Sequence, residues 1–435
     1  MQNILNDVPA QAFDSRYPHV YVKPEYSDAD KQVLRELADR NMEIATLPCQ
    51  DVRKRLWSKL NDLERTRPMV WFNEICWHEM DVDRELTTVT STEFARQVET
   101  ELRRNIYLWK HMQADMVVQP VLYSPMIIEN SGIGIGNLED TVATDVDNPV
   151  VSHRYKPQIV DWEDISKITE PKVFHNIKQT AEVREAYEDI FHGISPVEIR
   201  GCPGLWFAPW DDIVQMMGVE KTLENLAENP DFMHALVDKL VNVYLFALDQ
   251  YESEGLIASN NCNFRIGSGA YGYSDDLPPA ANSVAPEDIW GCASPQIFGT
   301  VSPGMHDEFG IEYENRWLKR FKLAYYGCCE RLDNRIEILR KIENLRKISI
   351  SPWADEKNAA ELIQRDYVIS LKPNPSYLAM DSFDPGIIER ELRQKLENTK
   401  NCNVEVIIKD ISTVKYQPQR LWQWIEVASR LVSEY

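Results

Sequence analysis

No run of about 18 uninterrupted apolar residues occurs in the sequence, so no membrane-spanning helix is expected. The N-terminal stretch MQNILNDVPAQAFDSRY has no basic region followed by an apolar core, so no secretion signal is expected and the cytoplasm is the expected compartment. Positive charge is also scarce. There are 69 acidic side chains against 47 basic ones, for a net charge of −22. Such a field repels nucleic acids and anionic membranes, and it disfavours a polyanionic substrate. Its simplest role is solubility. Internal repeats, low-complexity tracts and repeated CxxC pairs are all missing. The eight cysteines are scattered, and two of them, Cys328 and Cys329, are adjacent. Reduced thiols are therefore expected, each free to act as a core residue or a ligand.

What is present is alternation. Residues 1–66 read as an N-terminal helical extension, in which Ser27 and Asp28 open a run of strong helix formers. From about Arg67 to Tyr435, short β-rich runs alternate with amphipathic helical patterns, the mark of parallel strands joined by crossover helices. Eight strands are expected, at Met69–Glu74, Met116–Leu122, Val197–Gly201, Leu256–Asn261, Lys322–Cys328, Lys347–Ser351, Tyr367–Pro373 and Val404–Asp410. Eight strand-helix units fit an α/β fold of the closed (β/α)8 TIM-barrel type. A doubly wound sheet fits less well, because no glycine-rich phosphate turn follows the first strand. Two long insertions, at about 128–168 and 262–303, are expected as a small β excursion and as a lid over the C-terminal mouth.

Several motifs resemble the uroporphyrinogen decarboxylase superfamily. RPMVWFNEICWHEM resembles its first-strand motif, and GLWFAPWDDIVQMMGVEKTLENLAENPDFMHALVDKL its third-strand loop and following helices. SPGMHDEF, LAYYGCCERL, KISISPWAD and SLKPNP resemble its motifs through strands five to seven. The resemblance implies a barrel enzyme performing either decarboxylation or zinc- or corrinoid-linked methyl transfer. It also implies a homodimer, since superfamily members are often dimeric.

The residues favour the second chemistry. Uroporphyrinogen carries several carboxylates, and a site for it needs arginine. True decarboxylases of the family carry two arginines after the first strand; here Asn73, Glu74, Ile75, Cys76, Trp77, His78 and Glu79 include none. In the methyltransferase branch the resemblance implies zinc on a His-x-Cys pair after strand five and a cysteine after strand eight. Cys328 matches the first cysteine, Tyr326 replaces the histidine, and Lys409-Asp410-Ile411-Ser412-Thr413 holds no cysteine. A substitute ligand set of His306, Glu308 and Cys328, or Cys329 in its place, is chemically suited to zinc. Against it stands the reading of Cys328 as a small core residue.

Other polar and aromatic residues fall at expected strand ends or mouth loops. Glu74, Asp276 and Lys372 are the candidates for proton transfer. Asn73, Trp77, Glu79, Trp206, Tyr273, Trp353, Lys409 and Asp410 are the candidates for holding a small substrate, with the aromatics suited to a flat ring. The leading expectation is a methyltransferase moving a methyl group between a small donor, such as an aryl methyl ether, and a corrinoid. The chain has no Asp-x-His-x-x-Gly motif, so the corrinoid would arrive on a separate protein. The alternatives are a metal-free decarboxylase or lyase acting on a small substrate, and a barrel that only binds.

Overall fold

The computed structural model describes residues 21–142, 152–279 and 283–435. The expected N-terminal helical region holds two helices, α1 (Asp28–Ala45) and α2 (Pro48–Asn61). Pro48, with its fixed φ and missing N–H, suits the first position of α2 and separates it from α1. Ser27 and Asp30 cap α1 reciprocally, and Asp30 also accepts from Ser91 N (2.7 Å) and Ser91 Oγ (2.8 Å) at the start of α3 (Glu93–His111). Burial alone would raise the Asp30 pKa, but the N–H groups of Ser27 and Ser91 lower it to about 2. Asp30→Ala is therefore expected to cost about 2 kcal/mol, read as a drop in the urea midpoint. Because the folded pKa is depressed, the ionic part of this stabilisation is present above the unfolded aspartate value. It should be lost as pH falls towards about 2.

The strands in chain order are β1 (Met69–Phe72), β2 (Leu122–Pro125), β3 (Ile128–Asn130), β4 (Glu139–Val142), β5 (Ser152–Tyr155), β6 (Val173–His175), β7 (Val197–Arg200), β8 (Trp290–Ala293), β9 (Leu323–Tyr326), β10 (Leu345–Ile350), β11 (Val368–Leu371) and β12 (Asn403–Ile408). Six of them form one parallel sheet in the order β1-β12-β11-β10-β9-β8. β2 and β7 form a separate parallel pair. The fold is thus parallel α/β with helices packed on the strands, as expected, but among the described residues the ladders do not close into a ring. Next to β1, the backbone hydrogen bond from Asp115 N to Val70 O is at 3.3 Å. Next to β8, the side chain of Asn260 bonds both N and O of Trp290 where a strand would otherwise pair.

Three strand expectations need correction. Met116–Leu122 is largely irregular, and the ladder starts at Leu122, because Pro120 has no N–H to donate. Leu256–Asn261 contributes one bridge, Ile257 with Cys202. β8, a short WGCA run with no β-branched residue, lies inside the stretch read as a lid loop. The first insertion does form a β excursion, with β4 antiparallel to β5 and β3 to β6. Residues 143–151 of it, 280–282 of the second insertion and 1–20 of the N-terminal region lie outside the described residues.

The second insertion turns inward instead of covering the mouth. Residues 264–272 form a buried hairpin closed by the Arg265–Tyr271 bridge and Ile266 N to Ala270 O. Its tip, Gly267-Ser268-Gly269, presses on Tyr325 and Glu405 inside the sheet. A Cβ on Gly267 would sit 2.4 Å from the Tyr325 ring, and one on Gly269 would sit 2.4 Å from Glu405 Oε1. Lys347 Nζ pairs with Glu405 Oε2 at 2.8 Å beside this tip, and both side chains are fully buried. Below the hairpin, Asn61 of α2 donates to the carbonyls of Tyr271 and Tyr273. No helix of the described residues is long and apolar enough to cross a membrane.

Candidate functional site

The parallel strands deliver their following residues to one end of the sheet. Asn73 and Glu74 come from β1, Cys328 and Cys329 from β9, Lys372 from β11, and Lys409 and Asp410 from β12. Glu74 (φ 54°) and Asp410 (φ 56°) both hold left-handed backbone without being glycine. Each carries strain of roughly 1–3 kcal/mol. The pair is held by its neighbours: Asp410 N donates to Glu74 Oε2 (3.2 Å) and Ile411 N to Glu74 O.

Lys409 lies at the centre of this group. Its Nζ is 3.2 Å from Cys328 Sγ, 3.5 Å from Cys329 Sγ, 3.6 Å from Glu74 and 3.3 Å from Asp410. Burial works against the ammonium, but Glu74, Cys328 and Asp410 outweigh it and hold the pKa well above the usual lysine value. The Cys329 thiol, 3.5 Å away, and then Lys409 favour the Cys328 thiolate and lower that pKa to about 5 against the effect of burial. As the donor of this pair, Cys329 is pushed up. Partial desolvation in the crowded cluster and then Glu74 raise the half-exposed Asp410 to about 7 despite Lys409, so it can hold a proton near neutrality. Partial desolvation tends to raise Glu74, whose side chain is still partly exposed, but Lys409 and Arg265 bring it down to about 2; Arg265 Nη1 is 3.2 Å from its carboxylate. Burial lowers Lys372 to about 7, and its Nζ donates to Ser370 Oγ (2.6 Å) and Tyr325 Oη (2.9 Å).

A cleft of about 40 Å³ is lined among others by Trp206, Phe264, Arg265, Gly267, Trp290 and Cys292, and by none of Glu74, Cys328, Cys329, Lys409 or Asp410. Arg265 links it to Glu74. Volume of that order holds only a few solvent-sized groups.

Of the residues picked from sequence, Asn73, Glu74, Cys328, Lys372, Lys409 and Asp410 gather here, with Trp206 on the cleft. Asn73 acts through its side chain on the hairpin, donating to Gly269 O. The others go elsewhere. The proposed zinc ligands do not converge. His306 is buried and bonds Tyr326 Oη at 2.7 Å, while Glu308 is exposed and pairs with His234 Nε2 at 3.1 Å. Tyr325 faces the hairpin side of the sheet, where it bonds Ser268, and Tyr326 the opposite side, where it bonds His306 and Glu314, so His306 stands behind β9 and Cys328 at its end. Among the described residues no group of three or more His, Cys, Asp or Glu side chains is placed to hold a metal ion. The place beside the Cys328 sulfur is taken by the Lys409 ammonium, so the expected zinc set does not fit.

Asp276 follows the inward hairpin to the opposite end of the sheet, where it pairs with Arg346 at the start of β10 (2.8 Å). Tyr273 is buried against Tyr271 and Lys54. Glu79 caps residues 413–416, accepting from Thr413 Oγ1 and from the N–H groups of Val414 and Tyr416. Trp77 packs under Arg104 and against Tyr107, and Trp353 is exposed. Arg265, Glu330 and Tyr325 carry parts of the site that strand-end reading left unassigned. Glu330 accepts from Cys328 N at 2.9 Å and is raised to about 7, by burial first and then by the nearby sulfur.

Comparison with solved structures finds likenesses in fold. One such structure, described as a methyltransferase from Methanosarcina mazei, matches with a TM-score of 0.50 and 11% sequence identity, over 88% of this chain and 98% of that one. At that identity the likeness is one of fold. No protein-family model matches the chain, and no curated protein matches it.

Proposed function

We propose that this chain is a methyltransferase with a TIM-barrel-like fold, in which Cys328 is the methyl-accepting nucleophile. The observation that carries the reading is the buried Cys328 sulfur 3.2 Å from the Lys409 ammonium. A thiolate is the reactive form of cysteine, and a neighbouring cation keeps it available at neutral pH. The likeness in fold to a methyltransferase agrees with this reading.

In the first step the Cys328 sulfur attacks the methyl carbon of a small donor. The S–C bond forms, the carbon–heteroatom bond breaks, and its electron pair leaves on the heteroatom. A proton from Asp410 neutralises that atom. In the second step a stronger nucleophile, such as a reduced corrinoid on a separate protein, takes the methyl group and the electrons return to sulfur. A low thiol pKa makes the sulfur a better leaving group in this return step. The donor is a small methylated molecule; an aryl methyl ether would have to reach the sulfur with its methyl group foremost. No step needs zinc.

A metal-free lyase is the second reading, favoured by Lys372, a buried amine near pKa 7 that can carry a proton. The deciding experiment incubates the protein with methyl ethers, methanol and methylamines, with and without a reduced corrinoid protein. The Cys328 peptide is then read by mass spectrometry, with headspace CO2 measured alongside. A gain of one CH2 on Cys328, lost when the corrinoid acceptor is added, is the expected result. No methylated peptide and no methylated corrinoid with any donor would overturn the proposal. CO2 release from added small carboxylic acids, lost in Lys372→Met, would favour the lyase.

A further inference from the structure

A second cavity, of about 140 Å³, lies between α1, α3, the helix α4 (Ile177–Phe191) and the β2–β7 pair. It shares no lining residue with the thiolate cluster. Its walls are largely apolar, with Phe94, Val98, Ile127 and Val183 buried in them. An apolar cavity of about 150 Å³ is large enough for a benzene-sized guest.

Two charged groups of opposite sign, Arg200 and Glu101, face this space. Arg200, at the end of β7, is 9% exposed. Its guanidinium donates to Cys262 Sγ (2.8 Å) and lies 4.5 Å from the Tyr123 ring centroid. Among the described residues no carboxylate lies within 4 Å of it to form an ion pair. A cation this buried ordinarily has an anion. Glu101 of α3 lines the same cavity, and burial raises it to about 7 although Arg200 and Arg104 favour its charge. The other titratable group bearing on Glu101 is Tyr187 of α4.

We infer that this cavity binds a small carboxylic acid with an apolar or aromatic body, its carboxylate on Arg200 and its body among the α3 and α4 side chains. Charge and shape both support this. Arg200 supplies planar N–H donors matched to a carboxylate, and the walls are suited to a single ring. Such a ligand would give Arg200 the close ion pair that it lacks among the described residues, where Glu101 acts on it only at longer range.

The test is ligand-observed NMR titration of the full chain with benzoate, using benzamide as the neutral control. Benzoate is expected to bind and benzamide to compete poorly. Arg200→Gln is expected to weaken benzoate by about tenfold or more. Glu101→Gln provides a check that leaves Arg200 in place. Above neutrality the wild-type Glu101 carboxylate opposes an incoming anion, so this variant should bind benzoate several-fold more tightly at about pH 8 and equally at about pH 5.5. Failure of benzoate to bind overturns the inference, as does equal binding by folded Arg200→Gln. If Arg200→Gln does not fold, unchanged benzoate affinity of Glu101→Gln at the higher pH overturns it.

Discussion

Replacing Lys409 by methionine is expected to move the pH midpoint for alkylation of Cys328 from about 5 towards the free-thiol value of roughly 8.5. The mechanism is direct. The ammonium is 3.2 Å from the sulfur, and without it the buried thiolate keeps the Cys329 thiol and the more distant Lys372 to favour it. At about pH 6 the wild-type sulfur is mostly thiolate and the variant mostly thiol. The higher intrinsic nucleophilicity of the less acidic thiolate recovers part of the difference, leaving a net slowing on the order of tenfold to a hundredfold. Iodoacetamide labelling across pH, with peptide mapping to separate Cys328 from Cys329, measures it. Cys329→Ala should shift the same midpoint upward, because the thiol that donates to Cys328 is gone. An unchanged midpoint in Lys409→Met would falsify the role given to the ammonium.

Glu405→Ala is expected to cost about 3–5 kcal/mol of stability, because it leaves Lys347 buried without its partner. Burial already lowers the Lys347 pKa, and Glu405 opposes that shift. In the variant the unfolded chain therefore binds more protons than the native one, from the depressed folded value up to the ordinary lysine range. Stability rises with pH in that window, so the deficit should be smaller at about pH 9.5 than near neutrality. Urea unfolding at the two pH values measures this. The double variant Glu405→Leu with Lys347→Met should recover most of the loss, since apolar side chains need no charge partner. A deficit that did not change with pH, or a double variant as unstable as the single, would contradict this account.

The parallel α/β pattern was legible because its strands are apolar runs separated by helical periodicity. Trp71-Phe72 in β1 and Ile407-Ile408 in β12 are examples. Residues directly following such strands were legible too. A parallel strand ending in Lys409-Asp410 or Asn73-Glu74 delivers those side chains to the same end of the sheet, whatever the loops do. What failed depended on a loop's direction. Asp276 and Tyr273 were placed at the mouth because the insertion was expected to arch over it. Gly267 and Gly269, which permit close approach to Tyr325 and Glu405, let it turn inward. His306 and Glu308 lie two positions apart in sequence, yet the π-helical turn His306–Ile311 buries one and exposes the other. The interior ion pair did leave a signal. A lysine within LRKISI and a glutamate within NVEVII are charges at the centre of apolar strands, and each requires an opposite charge inside.

The inward hairpin also bears on how the chain reaches its native state. It ties Asn61, Val117 and Asn73 to Tyr325 and Lys347 through Asn61–Tyr271, Asn263–Val117, Asn73–Gly269, Ser268–Tyr325 and Lys347–Tyr271 hydrogen bonds. These contacts join segments from opposite ends of the sequence and cannot form by local zipping. Closing such long loops before any contact compensates for the lost entropy slows folding. Refolding should therefore be limited by docking of residues 264–272 between segments already assembled, and the polar interior around Glu405 should stay hydrated until the hairpin seats.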